Sequence, residues 1–184
     1  MSNLKTLIES YVKRAYKKVQ RNDKAYRQTL DITTSELERL IEMYRGFIDE
    51  DQTARLIRDS IDHWIRRYHD YVIRGDIGSH YVAAGIVSGE TIFEHIIPAN
   101  IVRDMLIEGR ITINQALNAP TCLISKVDDV ILRKSGLGST SPDHWHFFDR
   151  YSVLNTTFKT YNGQDVTDLH AWTLEKHFTF FNIL

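Results

Sequence analysis

Apolar residues recur every three or four positions through the first seventy residues. This periodicity predicts amphipathic helices and no strand. In residues 3–30 the stripe is Leu4, Leu7, Ile8, Tyr11, Val12, Ala15, Tyr16 and Val19. A hydroxyl residue with a glutamate three positions on, in Thr33-Thr34-Ser35-Glu36, predicts a fresh helix start there. The helix expected over 35–48 buries Leu37, Leu40, Ile41, Tyr44 and Ile48, and Gly46 weakens its end. The acidic turn Asp49-Glu50-Asp51 suits the positive end of the next helix, expected over 52–73. Its stripe is Leu56, Ile57, Ile61, Trp64, Ile65, Tyr68 and Val72. Residues 1–78 therefore form the expected N-terminal helical unit.

Beyond residue 78 the pattern breaks into short pieces. Ser79 to Ser88 suggests a short helix rich in small residues. Thr91-Ile92-Phe93-Glu94-His95 reads as a buried strand, which Pro98 ends. A helix follows over Asn100 to Glu108, closed by Gly109, and Thr112 caps another over Ile113 to Asn118. Thr121 to Ile124 is a second strand, and Ser125 caps a helix in which Val127, Val130, Ile131 and Leu132 pack. Gly136 to Pro142 is a loop dense in breakers. Asn162-Gly163 between Val153–Tyr161 and Val166 signals a hairpin, and Thr167 is the expected cap of an apolar last helix. The fold class expected is α+β and predominantly α-helical. A helical unit (1–78) precedes a small β-sheet region with short helices (79–184) that carries the site, within one compact domain.

Composition narrows the functional classes. Hydrophobic content of 42% with 26% charged residues, over 184 residues, fits one ordinary folded core. Cys122 is the only cysteine, which excludes an internal disulfide and a cysteine-based zinc site. No apolar run reaches the roughly 18 residues of a membrane span, so a cytoplasmic protein is expected. Net charge is −1 but unevenly spread: residues 1–30 hold eight Lys/Arg against two acids, so +6, leaving −7 for the rest. Lys13, Arg14, Lys17, Lys18 and Arg21 fall largely off the apolar stripe. Such a face suits solvent, or phosphates of DNA or RNA.

Two constellations could carry chemistry. In the first, Glu94-His95-x-x-Pro98 sets a carboxylate and an imidazole at a strand end beside a turn. A neutral imidazole takes a proton from water near pH 7, and a carboxylate binds hard ions. Neighbours in a strand face opposite ways, so a shared target requires a twist or bulge. The alternative for His95 is a buried, hydrogen-bonded corner residue. This stretch resembles the first signature of the HNH, or His-Me finger, endonucleases: acidic residue, histidine, two variable residues and proline at a strand end. The resemblance covers about forty residues. It implies His95 as general base, Glu94 as a ligand of a divalent metal (Mg²⁺, Mn²⁺ or Zn²⁺), and Asp128 or Asp129 as a further ligand from the closing helix.

The second constellation is Asp143-His144-x-His146-x-x-Asp149-Arg150. In an extended segment His144 and His146 point the same way, so His144, His146 and Asp149 could hold one metal ion, or else line an exposed aromatic loop. His170 and His177 lie seven apart on the expected last helix, where packing explains them. His63 and His69, about 120° apart round a helix, cannot share a metal and read as surface or interface histidines. The function expected is a metal-dependent endonuclease hydrolysing phosphodiester bonds. The alternative is a non-catalytic, phage-like interaction protein that binds a partner or self-associates through its apolar C-terminal helix.

Overall fold

The computed structural model describes residues 24–87 and 89–184. The first described residues already belong to α1 (Lys24–Gly46), a 23-residue helix that runs straight through the expected start at Thr33. The reason lies in its buried side. Tyr26, Leu30, Thr33, Leu37, Leu40, Ile41 and Tyr44 continue one stripe at three- and four-residue spacing, and Leu37 is fully enclosed. Burial of that stripe outweighs a capping preference of about 1 kcal/mol. The rest of the expected 3–30 helix, with Lys13, Arg14, Lys17, Lys18 and Arg21, lies outside the described residues.

Antiparallel to α1 packs α2 (Asp51–Tyr68), which buries Ala54, Ile57, Ile61, Ile65 and Tyr68. At His69–Ile73 it widens into a π turn before a last turn, Arg74–Asp76. The wider turn faces Tyr68, His69, Val72 and Ile73 to the core together. His69 is thus a core residue, only 1% exposed, rather than a surface or interface one.

The sheet has five strands: β1 (Tyr81–Ala83), β2 (Thr91–His95), β3 (Thr121–Ser125), β4 (Phe158–Thr160) and β5 (Asp165–Val166). Their order is β2-β3-β1-β4-β5, with β1 and β3 parallel and the other pairs antiparallel. Of the short helix expected over 79–88, the described residues 79–87 form instead the central strand and a turn, and Ser88 lies outside the described residues. Tyr81 and Ala83 are buried while Val82 is less so, and both edges of β1 find partners. Tertiary pairing here overrides a locally ambiguous run.

Between β2 and β3 lie α3 (Ala99–Ile107) and α4 (Ile113–Leu117). Gly109 at φ 71° follows the end of α3, and Thr112 with Gln115 forms a reciprocal capping box on α4. Helix α5 (Lys126–Lys134) leaves β3 directly, with Ser125 Oγ accepting the Asp128 amide at 3.0 Å. A 3₁₀ turn, Phe147–Tyr151, precedes the β4–β5 hairpin, and α6 (Leu174–Phe180) closes the chain. Its cap is Thr173, not Thr167, because 167–173 is a turn segment that leaves His170 off the helix. Phe178 is buried, and Phe180 and Phe181 pack against the core, so much of the apolar C-terminal helix is used within the chain. This is an α+β fold dominated by helices. No helix among the described residues is long and apolar enough to cross a membrane.

Candidate functional site

The order β2–β3–α5 places Glu94 beside the first turns of α5. Arg150, buried to 1% in the 3₁₀ turn, holds it there: Nη2 reaches Glu94 Oε1 at 2.6 Å. The same guanidinium donates Nε to Leu137 O at 2.7 Å, Nη1 to His95 O at 2.7 Å and Ile96 O at 3.0 Å, and Nη2 to Gly138 O at 2.8 Å. All five donors of an arginine thus have acceptors. One side chain fastens the breaker loop 136–139 to the end of β2. The sequence pattern set Arg150 at the end of the second constellation without a role, although a cation among Phe147, Phe148 and Tyr151 is the signal of a buried, multiply bonded side chain.

These elements enclose a cleft of about 390 Å³ lined by Glu94, Asp129, Arg133, Gly136, Gly138 and Ser139. Asp129, buried on α5, pairs with Arg133 at 3.0 Å. Arg133 stays largely exposed at the cleft mouth. A Cβ at Gly138 would lie 3.1 Å from Arg133 Cγ, so a larger residue there needs the exposed Arg133 side chain to give by a few tenths of an ångström. Burial pushes the Glu94 carboxyl above its ordinary range, opposed by the Arg150 charge and assisted by nearby Asp129. A buried carboxyl with a named charge partner, in a cleft, is a recurrent mark of working sites.

His95 is not part of this cleft. The β2–β3 register is regular to its end, Glu94 opposite Cys122 and His95 opposite Thr121, without the bulge a shared target would need. The His95 ring lies on the side of Phe93 and His69, with ring centres 5.6 and 5.1 Å away. Its Nε2 is enclosed without a hydrogen-bond partner. Burial, with His69, Arg66 and Arg150 adding to it, drives its pKa well below the ordinary value.

Other buried histidines serve as neutral donors and acceptors. His69 Nε2–H donates to Ala116 O at 3.0 Å. His177 Nε2–H donates to Asn118 O at 2.8 Å, so its Nδ1 accepts the Tyr81 hydroxyl at 2.8 Å. Trp172 Nε1–H completes the series by donating to the Tyr81 oxygen at 2.6 Å. His69 and His177 thereby cover carbonyls at the end of α4. Burial lowers their pKa values to about 4 and about 3.

The residues of the second constellation diverge, because 143–146 is bent and not extended. His144 Nε2 lies 3.3 Å from Arg110 Nη1, while His146 Nδ1 turns back to Asp143 Oδ2 at 2.8 Å. Asp149 Oδ1 binds His170 Nδ1 at 3.0 Å, and the His170 ring stacks on His146, centres 4.5 Å apart. Among the described residues no group of three or more His, Cys, Asp or Glu converges as a metal site. No family model matches the chain, and comparison with curated proteins and with solved structures finds no similar one.

Proposed function

We propose that the chain hydrolyses phosphodiester bonds of DNA or RNA in the Glu94–Asp129 cleft, with a divalent ion. The observation that carries this reading is the meeting of Glu94, from β2, and Asp129, from α5, beside Arg133 in one open polar cleft. Asp129 lies on α5, the helix to which the resemblance to HNH endonucleases assigns a further ligand, while α3 and α4 stand between the two strands where that family has an irregular loop. The donors fit a hard ion: Mg²⁺ is commonly bound through one or two carboxylates plus substrate phosphates. Glu94 and Asp129 would hold it. A divalent ion in such a site offsets charge on phosphate oxygens and lowers the pKa of a bound water.

The chain's own groups supply the rest. Arg150 fixes the Glu94 carboxylate in place, and Arg133 offers guanidinium donors to a phosphate oxygen at the mouth. The role of water activation assigned to His95 from sequence passes to the cleft, because the His95 Nε2 is enclosed on the other side. The test is Mg²⁺- or Mn²⁺-dependent nicking of supercoiled plasmid and of RNA. Glu94→Gln and Asp129→Asn should each abolish it in folded protein, and His95→Gln should retain it. Cleavage that persists in folded Glu94→Gln rejects the proposal.

A second reading has its own support: Phe47, Ile48 and Leu56 are 39%, 56% and 63% exposed around the α1–α2 turn. Neighbouring exposed apolar side chains favour a protein contact. Sedimentation of wild type against Ile48→Ser/Leu56→Ser tests self-association there. Identical monomeric behaviour of the two rejects it.

A further inference from the structure

A second and larger cleft, about 480 Å³, lies between α4 and α6, within the size range of small-molecule sites. It shares no lining residue with the Glu94–Asp129 cleft. Its floor is apolar: Ile111, Phe178 and Ile183 line it and are only 6%, 7% and 8% exposed. Its rim carries Trp145, Arg110 and Glu175.

The backbone of Trp145 is held firmly. Its N–H donates to Asp143 Oδ1 at 2.7 Å, and its carbonyl accepts the Leu174 N–H at 2.8 Å, which joins it to the first turn of α6 beside Glu175. Neighbouring His144 accepts Arg110 Nη1–H on Nε2 at 3.3 Å. The indole itself is unengaged. It is 43% exposed and, among the described residues, makes no ring contact and no side-chain hydrogen bond. Trp172, by contrast, is buried and bonded to Tyr81. A large ring fixed at its backbone and idle at its face, over an apolar floor, is the form of a binding residue.

Charge selects what it binds. Arg110 Nε donates to Glu108 Oε2 at 2.7 Å, so the guanidinium charge is already met. Lys176 lies over the Trp172 ring, 4.6 Å from its centre. Glu175 has neither ion pair nor hydrogen bond among the described residues, and it brings an uncompensated negative charge to the rim. An anion, a nucleotide included, would meet that carboxylate with no free cation in the lining to offset it. A cation gains twice, from the carboxylate and from the face of an indole, the best aromatic partner for positive charge. The geometry points to a site for a small organic cation, an ammonium group on an aliphatic or aromatic body. Trp145 and Glu175 hold the charge, and Ile111, Phe178 and Ile183 take the carbon body.

Calorimetric titration of the full chain with benzyltrimethylammonium tests the site, with phenylacetate and adenosine monophosphate as anionic counterparts at the same ionic strength. One equivalent of the cation should bind, and neither anion should. Trp145→Ala should weaken binding by about tenfold and Glu175→Gln by about threefold, from the usual worth of a cation–π contact and of an exposed charge pair. Trp145→Phe keeps a weaker ring face and should fall between wild type and Trp145→Ala. Glu94→Gln should leave affinity unchanged, so this binding and the proposed hydrolysis are read separately. Trp145 and Glu175 are exposed, so these variants should retain the wild-type circular dichroism. Absence of saturable binding of the cation by wild type, an anion bound as tightly as the cation, or affinity unchanged in Trp145→Ala overturns the assignment.

Discussion

Acidification should unfold this protein through histidines buried in neutral form, and His177 is the clearest case. It has no exposed surface, donates Nε2–H to Asn118 O and accepts the Tyr81 hydroxyl on Nδ1. Protonation would require Nδ1 to become a donor against a hydroxyl that already accepts from Trp172. Its folded pKa of about 3 lies below the ordinary 6.5. As pH falls below 6.5 the unfolded chain takes up a proton that the native chain refuses. Stability is therefore full above about pH 6.5 and is lost as pH falls toward the folded value.

At about 1.4 kcal/mol per unit, the full loss is about 5 kcal/mol for His177 and, with its folded pKa of about 4, about 3 kcal/mol for His69. Together they approach the roughly 5–15 kcal/mol that holds a typical domain folded. Urea unfolding followed by tryptophan fluorescence at pH 7, 6, 5 and 4 measures the slope. These two groups should give a slope of about 2 kcal/mol per pH unit between pH 6 and 4. His177→Gln keeps an amide donor for Asn118 O and an acceptor for Tyr81 but cannot titrate, and it should lower the slope by up to about 1.4 kcal/mol per pH unit, leaving the part due to His69 and His95. An unchanged slope in His177→Gln, or a stability flat from pH 7 to 4, refutes the argument.

Other perturbations follow from the same contacts. Arg150→Met strands the Glu94 carboxylate and frees four carbonyls, so it should lower stability by roughly 3–5 kcal/mol, read as a fall in urea midpoint. Arg150→Lys should rescue little, since an ammonium has three donors for five acceptors. Tyr81→Phe leaves Trp172 Nε1 and His177 Nδ1 without their shared partner and should cost roughly 1–3 kcal/mol by the same assay. Thr112→Ala removes one half of the α4 capping box and should cost about 1 kcal/mol.

Where periodicity was long and uninterrupted, as in α2, the sequence alone located the element and most of its buried side, though Leu56 of the expected stripe is 63% exposed and Ala54 is buried. The capping signals at Thr112 and Ser125 were equally readable, because a hydroxyl followed by its helix acts locally. Thr33 carried the same signal without its consequence, since the apolar stripe of α1 runs on through it. Strand β1 was invisible for a different reason. Its three residues are extended because β3 and β4, far along the chain, pair with them. The candidate site divided along the same line. Glu94 was legible as a carboxylate at a strand end, but its partner Arg150 lies 56 residues away in a 3₁₀ turn. His95 appeared reactive from its neighbours in sequence, and a regular register then turned it toward His69.

The short middle strand also sets a timetable for assembly. Tyr81 must wait for Cys122 on one side and Thr160 on the other, so the sheet cannot close until most of the polypeptide has emerged from the ribosome. During that interval α1 and α2 can already embrace, while the rest of the chain exposes Tyr81 and the aromatic residues destined to surround it. Slow closure of the sheet, set by pairings far apart in the chain, is what such wiring imposes.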